Sequence, residues 1–426
     1  MKRLNLREGR NEETVSLPAN VAAAISALNV ANVSPLGNGD WSISGVSKVG
    51  VIRVADWQVE ITPKVLIDRL FFMMSFSTDQ RFWQEQDVIL GSGATLLDTI
   101  AHSFIRQAAV ALGRGMHQAY ETFDDALPIV RGRLDIPAQI GRRAGLALPA
   151  QVIFDEYTVD TVENRLLLSA SLRLLHLPTL GQAHRAAIMK LTQRFEGVRP
   201  IAPGRPVPQV HFQRLNERYK GAVALSELIL RNTSLEHRQG ENAASGFLFD
   251  TWRIFEDFVS KALRASLARH GESVEMQSSS FLDQGREVVI RPDILVHSNG
   301  FIRAAVDAKY KSEKNGRFPH ADVYQMLAYC LRFRLTEGHL VYARGEEVLK
   351  SYVIDPPGVT IHCHALNLDQ TPEMLLADVD LLADRITRPV SARADEPICG
   401  FGEAQLVEQR PMTARAVPRR PPPLEY

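Results

Sequence analysis

Apolar and polar positions change period along the chain, and each change marks an element. Over "VGVIRVADWQVEITPK" (49–64) they alternate on both sides of Ala55-Asp56, the pattern of a half-buried β-hairpin, and Pro63 ends the run. "VLIDRLFFMMSF", "TLLDTIAHSFIRQAAVALGRG" and "TVENRLLLSASLRLLHL" instead repeat apolar residues at helical spacing. The first part of the chain therefore reads as a small β-rich module followed by helices. "VRPIAPGRPVPQV" (198–210) carries four prolines from Pro200 to Pro208, which forbid helix and predict an extended connector. "LEHRQGENAASG" (235–246) is polar and glycine-flanked, and it precedes a strongly periodic helix. These features place a domain boundary near residue 240.

The second half interrupts its apolar runs with charges. In "GFLFDTWRIFEDFVSKALRASLARHG" (246–271) the apolar stripe runs through Trp252, Phe255, Val259, Ala262 and Leu263. Glu256 falls on the edge of that stripe and Asp257 points away. "REVVIRPDILV" (286–296) and "FIRAAVDAKY" (301–310) are β-branched strands joined through Asn299-Gly300, a strong hairpin signal. Asp307 and Lys309 are two apart and share a face. Whether Asp293 joins them depends on register. A two-residue Asn299-Gly300 loop sets Asp293 opposite Val306, on the wrong face. A three-residue loop of Ser298 to Gly300, or an equivalent bulge, brings the two carboxylates and the ammonium together. In "DVYQMLAYCLRF" (322–333), Gln325 and Tyr329 are four apart on one helix face.

Carboxylates gathered this way suit a hard divalent cation, with water and a substrate phosphate completing its shell. Lys309 would then orient the attacking water or offset charge developing on phosphorus. Taken singly, the bland readings are a surface Asp-Lys pair on an edge strand, a boundary glutamate, and a core tyrosine with a solvated glutamine.

Composition narrows the picture. With 426 residues, 45% hydrophobic and 23% charged, the chain can bury about two or three cores. Lys+Arg and Asp+Glu are equal at 49 each, so no global field draws it to a polyanion, and any nucleic-acid contact must be a local groove or a partner's work. No apolar run approaches a membrane span, and "MKRLNLREGRNEETV" lacks the apolar core of a signal peptide, so a cytoplasmic, membrane-free protein is expected. Cys330, Cys363 and Cys399 are odd in number and without CxxC, which favours buried thiols. The sequence has no GxxxxGK[ST], so no nucleotide is expected on this chain itself, and "GSGATL" and "GRG" read as turns. "HCH" (362–364) invites zinc but lies in an alternating strand without further spaced ligands. The Pro- and Arg-rich "RPMTARAVPRRPPPLEY" reads as a disordered tail.

In order, a helix with Glu, a strand with Pro-Asp, a strand with Asp-x-Lys and a helix with Gln-x-x-x-Tyr resemble the PD-(D/E)xK nuclease superfamily, in its RecB-like variant, over about residues 245–345. The resemblance implies Asp293 and Asp307 as ligands of Mg²⁺, Lys309 as the catalytic lysine, Glu256 as an accessory acid, and Gln325 and Tyr329 as DNA-facing or site-supporting residues. "VIRVADWQVEITPKVLIDRLFFMM", "PIVRGRLDIPAQI" and "VIFDEYTVDTVENRLLLSASLRLL" are similar to recurring blocks of the McrC family, nuclease subunits of modified-cytosine restriction systems. That resemblance implies a region 1–240 that docks on an AAA+ GTPase ring, a mixed-sheet nuclease domain 241–400 that cuts double-stranded DNA, and a tail 401–426. The expected fold class is α+β / α/β. Two alternatives stand beside it: a RecB-like repair nuclease without a motor, and a catalytically silent activator of an AAA+ partner. Repair nucleases of the RecB type often carry four cysteines for a cluster, which this sequence lacks.

Overall fold

The computed structural model describes residues 2–10, 12–78, 95–143, 146–177, 179–202, 204–239, 242–312, 320–344 and 349–388. The C-terminal tail, Cys399 and residues 91–94 of "GSGATL" lie outside them.

The alternating segment forms the expected hairpin. Lys48–Val54 pairs antiparallel with Trp57–Thr62, Val54 opposite Trp57, so Ala55-Asp56 is a two-residue turn. Lys2–Arg7 adds in parallel on one side. On the other side comes a strand from far along the chain, Asn242–Asp250, and then Thr233–Gln239. The polar stretch expected to separate two domains near residue 240 is therefore a pair of strands built into the first sheet. Local composition signalled a break there. Non-local pairing overrides it, and Met1–Ile386 is one compact unit.

A smaller sheet of Glu13–Ser16, Asp40–Ser44 and Asn32–Gly37 joins the helix Ala19–Ala27. The predicted helices follow at Ile67–Thr78, Leu96–Leu112 and Val162–His176, the second opened by a Thr95–Asp98 capping box. "GRG" is the turn that closes Leu96–Leu112, with Gly115 at φ +85°. The proline-rich connector carries no helix or strand in its described residues. Ala119–Leu127, Ala150–Thr158 and Arg133–Leu134 make a three-stranded sheet with its own core of Ala150, Val152 and Phe154.

The second large sheet has six strands in the order Ser273–Met276, Ile294–Ser298, Phe301–Ser312, Glu337–Arg344, Val359–Ala365, Leu349–Ile354. Its three middle pairings from Phe301 onward include two parallel ones, so both faces are covered. Ile294, Val296, Ala304 and Val306 turn toward the core shared with the helix Thr251–Arg269. Leu295 and Ala305 turn the other way, onto Met326 and Tyr329 of the helix His320–Phe333. The mixed α/β class thus agrees with expectation. Cys330 and Cys363 are buried free thiols. Among the described residues no helix is long and apolar enough to cross a membrane.

Candidate active site

The hairpin that carries Asp293 and Asp307 corrects one expectation. Its loop has two residues, not three, because Ser298 pairs with Phe301 and both Asn299 (φ +50°) and Gly300 (φ +83°) are left-handed, as a tight primed turn requires. The alternative device is present instead. Between His297↔Ile302 and Val296↔Ala304 the register shifts by one residue, with Arg303 the extra one. Ile294 then faces Val306, and continuing the ladder sets Asp293 opposite Asp307 rather than diagonal to it. Asp293 is fixed at both ends: its Oδ2 accepts from Ala308 N–H at 2.8 Å and its carbonyl from Gln277 N–H at 2.8 Å.

Burial raises the Asp293 carboxyl, and the charges of Asp307 and Glu256 add to it, pushing it up to about 8. Asp307 is 2% exposed, and burial raises it despite its ion pair with Lys309. Burial would lower the Lys309 ammonium, yet the Asp307 charge and hydrogen bond outweigh that and hold it above its ordinary value. Lys309 Nζ also donates to Gln325 Oε1 at 2.9 Å. Gln325 Nε2 donates to the Tyr329 hydroxyl at 2.8 Å, which donates to the Arg291 carbonyl at 3.2 Å. Tyr329 is buried and Gln325 exposed, and the relay runs from one to the other.

Glu256 is half-buried and Asp257 exposed, as the helix period requires. Trp252 departs from the expected stripe at 45% exposed, and Phe258 stands in the core instead. Two residues escaped the sequence reading. Asp322 is buried, accepts from the Tyr342 hydroxyl at 3.1 Å, and its charge acts on both Asp307 and Lys309. Its signal was its spacing, three before Gln325 and seven before Tyr329 on one helix face. Gln277 carried no signal; its Nε2 donates to Glu256 Oε1 at 3.1 Å and its Oε1 accepts from Arg291 at 2.7 Å.

Among the described residues no three His, Cys, Asp or Glu side chains form a ready metal cage. The donor set here is two opposed carboxylates, which suits a hard cation that keeps water and phosphate ligands. His362 and His364 of "HCH" meet His339 of the neighbouring strand, with His339 Nδ1 and His364 Nε2 3.0 Å apart and His362 Nδ1 2.8 Å from Ser351 Oγ.

The fold and this cluster define a mixed α/β protein with an acid-acid-lysine constellation beside a Gln-Tyr helix. The chain belongs to the family of McrBC 5-methylcytosine restriction system components, whose sequence model matches residues 45–343. It is similar in fold to a chain of the refined half-complex from the tetradecameric assembly of Thermococcus gammatolerans McrB AAA+ hexamers with bound McrC, at 17% identity and TM-score 0.58, covering 90% of this chain and 100% of that one. A chain of the Thermococcus gammatolerans McrBC complex matches at 20% identity and TM-score 0.40 over 62% of this chain and 88% of that one. No curated protein matches by sequence.

Proposed function

We propose that this chain is the Mg²⁺-dependent endonuclease subunit of a GTP-driven restriction complex that cuts double-stranded DNA carrying modified cytosine. The observation that carries the reading is the pair of carboxylates, half-buried Asp293 and buried Asp307, both raised by desolvation and joined by a lysine ion-paired to Asp307. Such a pair is unfavourable alone and favourable around a cation. Asp293 and Asp307 would hold Mg²⁺, with Glu256 as the accessory acid. The ion would supply Lewis-acid polarisation of the scissile phosphate and a more acidic water.

Lys309 does the remaining electrostatic work. Held between Asp307 and Gln325, it stays protonated and can orient a water or offset charge growing on a phosphate oxygen. Gln325, Tyr329 and the Arg291 carbonyl keep the ammonium from swinging.

The partner is read as an AAA+ GTPase ring that docks on the N-terminal region. Its contact surface is the three-stranded module, where Tyr120, Ile129, Ile136, Ile140, Leu146 and Leu148 are all more than half exposed. So many exposed large apolar side chains on the strand Ala119–Leu127, the helix Ile136–Arg143 and the loops between these elements support a protein-interface reading. The motor supplies nucleotide hydrolysis, and recognition of modified bases lies with it.

The experiment is reconstitution of the full chain with an AAA+ GTPase of the McrB type, GTP, Mg²⁺ and methylated plasmid. Cleavage by wild type that Asp307→Asn abolishes, with GTPase stimulation retained, is the expected result. Cutting without partner or GTP would favour a motor-free repair nuclease; stimulation without cutting would leave a silent activator.

A further inference from the structure

Gln277 follows the strand Ser273–Met276 with φ +51°, a left-handed conformation that non-glycine residues take rarely and at some strain. Its side chain is exposed, so apolar burial does not explain why the chain tolerates this. Three hydrogen bonds do. The backbone N–H reaches the Asp293 carbonyl, Nε2 reaches Glu256, and Oε1 receives Arg291.

A carboxylate only accepts and a guanidinium only donates, so these partners force the orientation of the amide. Its donor end must face Glu256. A cation in that place would pair with Glu256 and cancel the charge that a metal site needs. A neutral amide holds the acid while leaving the charge in place. Without it, Glu256 stands near two carboxylates that its own charge disfavours, and the half-buried side chain gains by turning toward water.

We infer that Gln277 is a positioning residue, fixing Glu256 against the Asp293–Asp307 pair and Arg291 beside it. The inference rests on the nuclease reading of the site. Its test uses Gln277→Gly, which removes the amide while relieving the left-handed backbone.

Three quantities are measured on the full chain: Mn²⁺ uptake by loss of the free-ion paramagnetic resonance signal, thermal unfolding midpoint, and, with the AAA+ partner, the Mg²⁺ dependence of cleavage. The Gly variant should keep or raise the midpoint and keep GTPase stimulation, while Mn²⁺ affinity falls and the Mg²⁺ half-saturation rises, each about 10-fold. Wild-type metal dependence in the Gly variant would overturn the role. So would a metal defect that merely tracks a fallen midpoint. Wild-type protein that takes up Mn²⁺ but never cuts sinks the nuclease reading alone, since uptake still decides Gln277; wild-type protein that takes up none overturns both.

Discussion

Tyr310 donates its hydroxyl to Glu8 at 3.3 Å, joining residues 302 positions apart. Glu8 directly follows the first strand of the first sheet, and Tyr310 directly follows Lys309. Glu8 is buried and also accepts from the Thr251 hydroxyl and from Lys64 N–H at 3.2 Å, while the Lys64 ammonium sits 3.7 Å above the Tyr310 ring. One carboxylate thus ties the N-terminal sheet to the start of the Glu256 helix and to the candidate catalytic strand. Tyr310→Phe should destabilise the protein by about 1 kcal/mol, and Glu8→Ala, which strands several donors together, by about 2–4 kcal/mol. Urea denaturation measures both. Equal stability of Glu8→Ala and wild type would show that the contact holds nothing.

Asp293 makes metal-free stability depend on pH. Its folded value, about 8, lies above the unfolded one near 3.8, so its contribution is complete at low pH and is lost as pH rises through 8. In EDTA the wild type should lose up to about 1.4 kcal/mol per pH unit from this group across that window. Asp293→Asn should flatten the slope and be the more stable protein at pH 9. A wild-type slope as shallow as the variant's between pH 5 and 8 would count against the raised acid pair.

Asp160 predicts the opposite slope. Burial alone would raise this carboxyl, but hydrogen bonds from Arg165 Nε (2.7 Å) and from Arg199 N–H (2.9 Å) and Nε (2.6 Å) outweigh it and bring it to about 2. Its stabilisation is present above pH 4 and disappears as pH falls toward 2. Asp160→Asn should therefore lose about 2 kcal/mol at pH 7 and only about 0.4 kcal/mol at pH 2. Parallel denaturation curves at the two pH values check this; an equal loss at both would mean the effect is steric.

The strand Asn242–Asp250 sits between Lys48–Val54 and Thr233–Gln239, so a nick at residue 240 cuts no boundary between bodies. Protein cleaved there should elute from a sizing column as one species. Two peaks without denaturant would contradict the shared sheet.

Legibility followed the range of the interactions. Period and face were readable for Asp307, Lys309, Gln325 and Tyr329 because each pair lies within one strand or one helix. Glu256 was readable as a stripe-edge acid for the same reason. The hairpin was readable, but loop and bulge were not separable: nothing distinguishes Arg303 from its neighbours until the ladder forms. Gln277 gave no warning, since its left-handed backbone is maintained by partners from two other elements and not by a glycine's freedom. The strand after residue 240 looked like a linker because its partner, Lys48–Val54, is nearly two hundred positions upstream.

That strand also runs into the helix Thr251–Arg269 without an intervening loop. Force applied along the first sheet would therefore enter the helix that carries Glu256 through a continuous stretch of backbone. Flanked on both sides, the strand would be loaded in shear, its rungs sharing the pull instead of opening one at a time. Mechanically it is a stiff tie-rod, so strain reaching the sheet would arrive at the acid with little slack to absorb it.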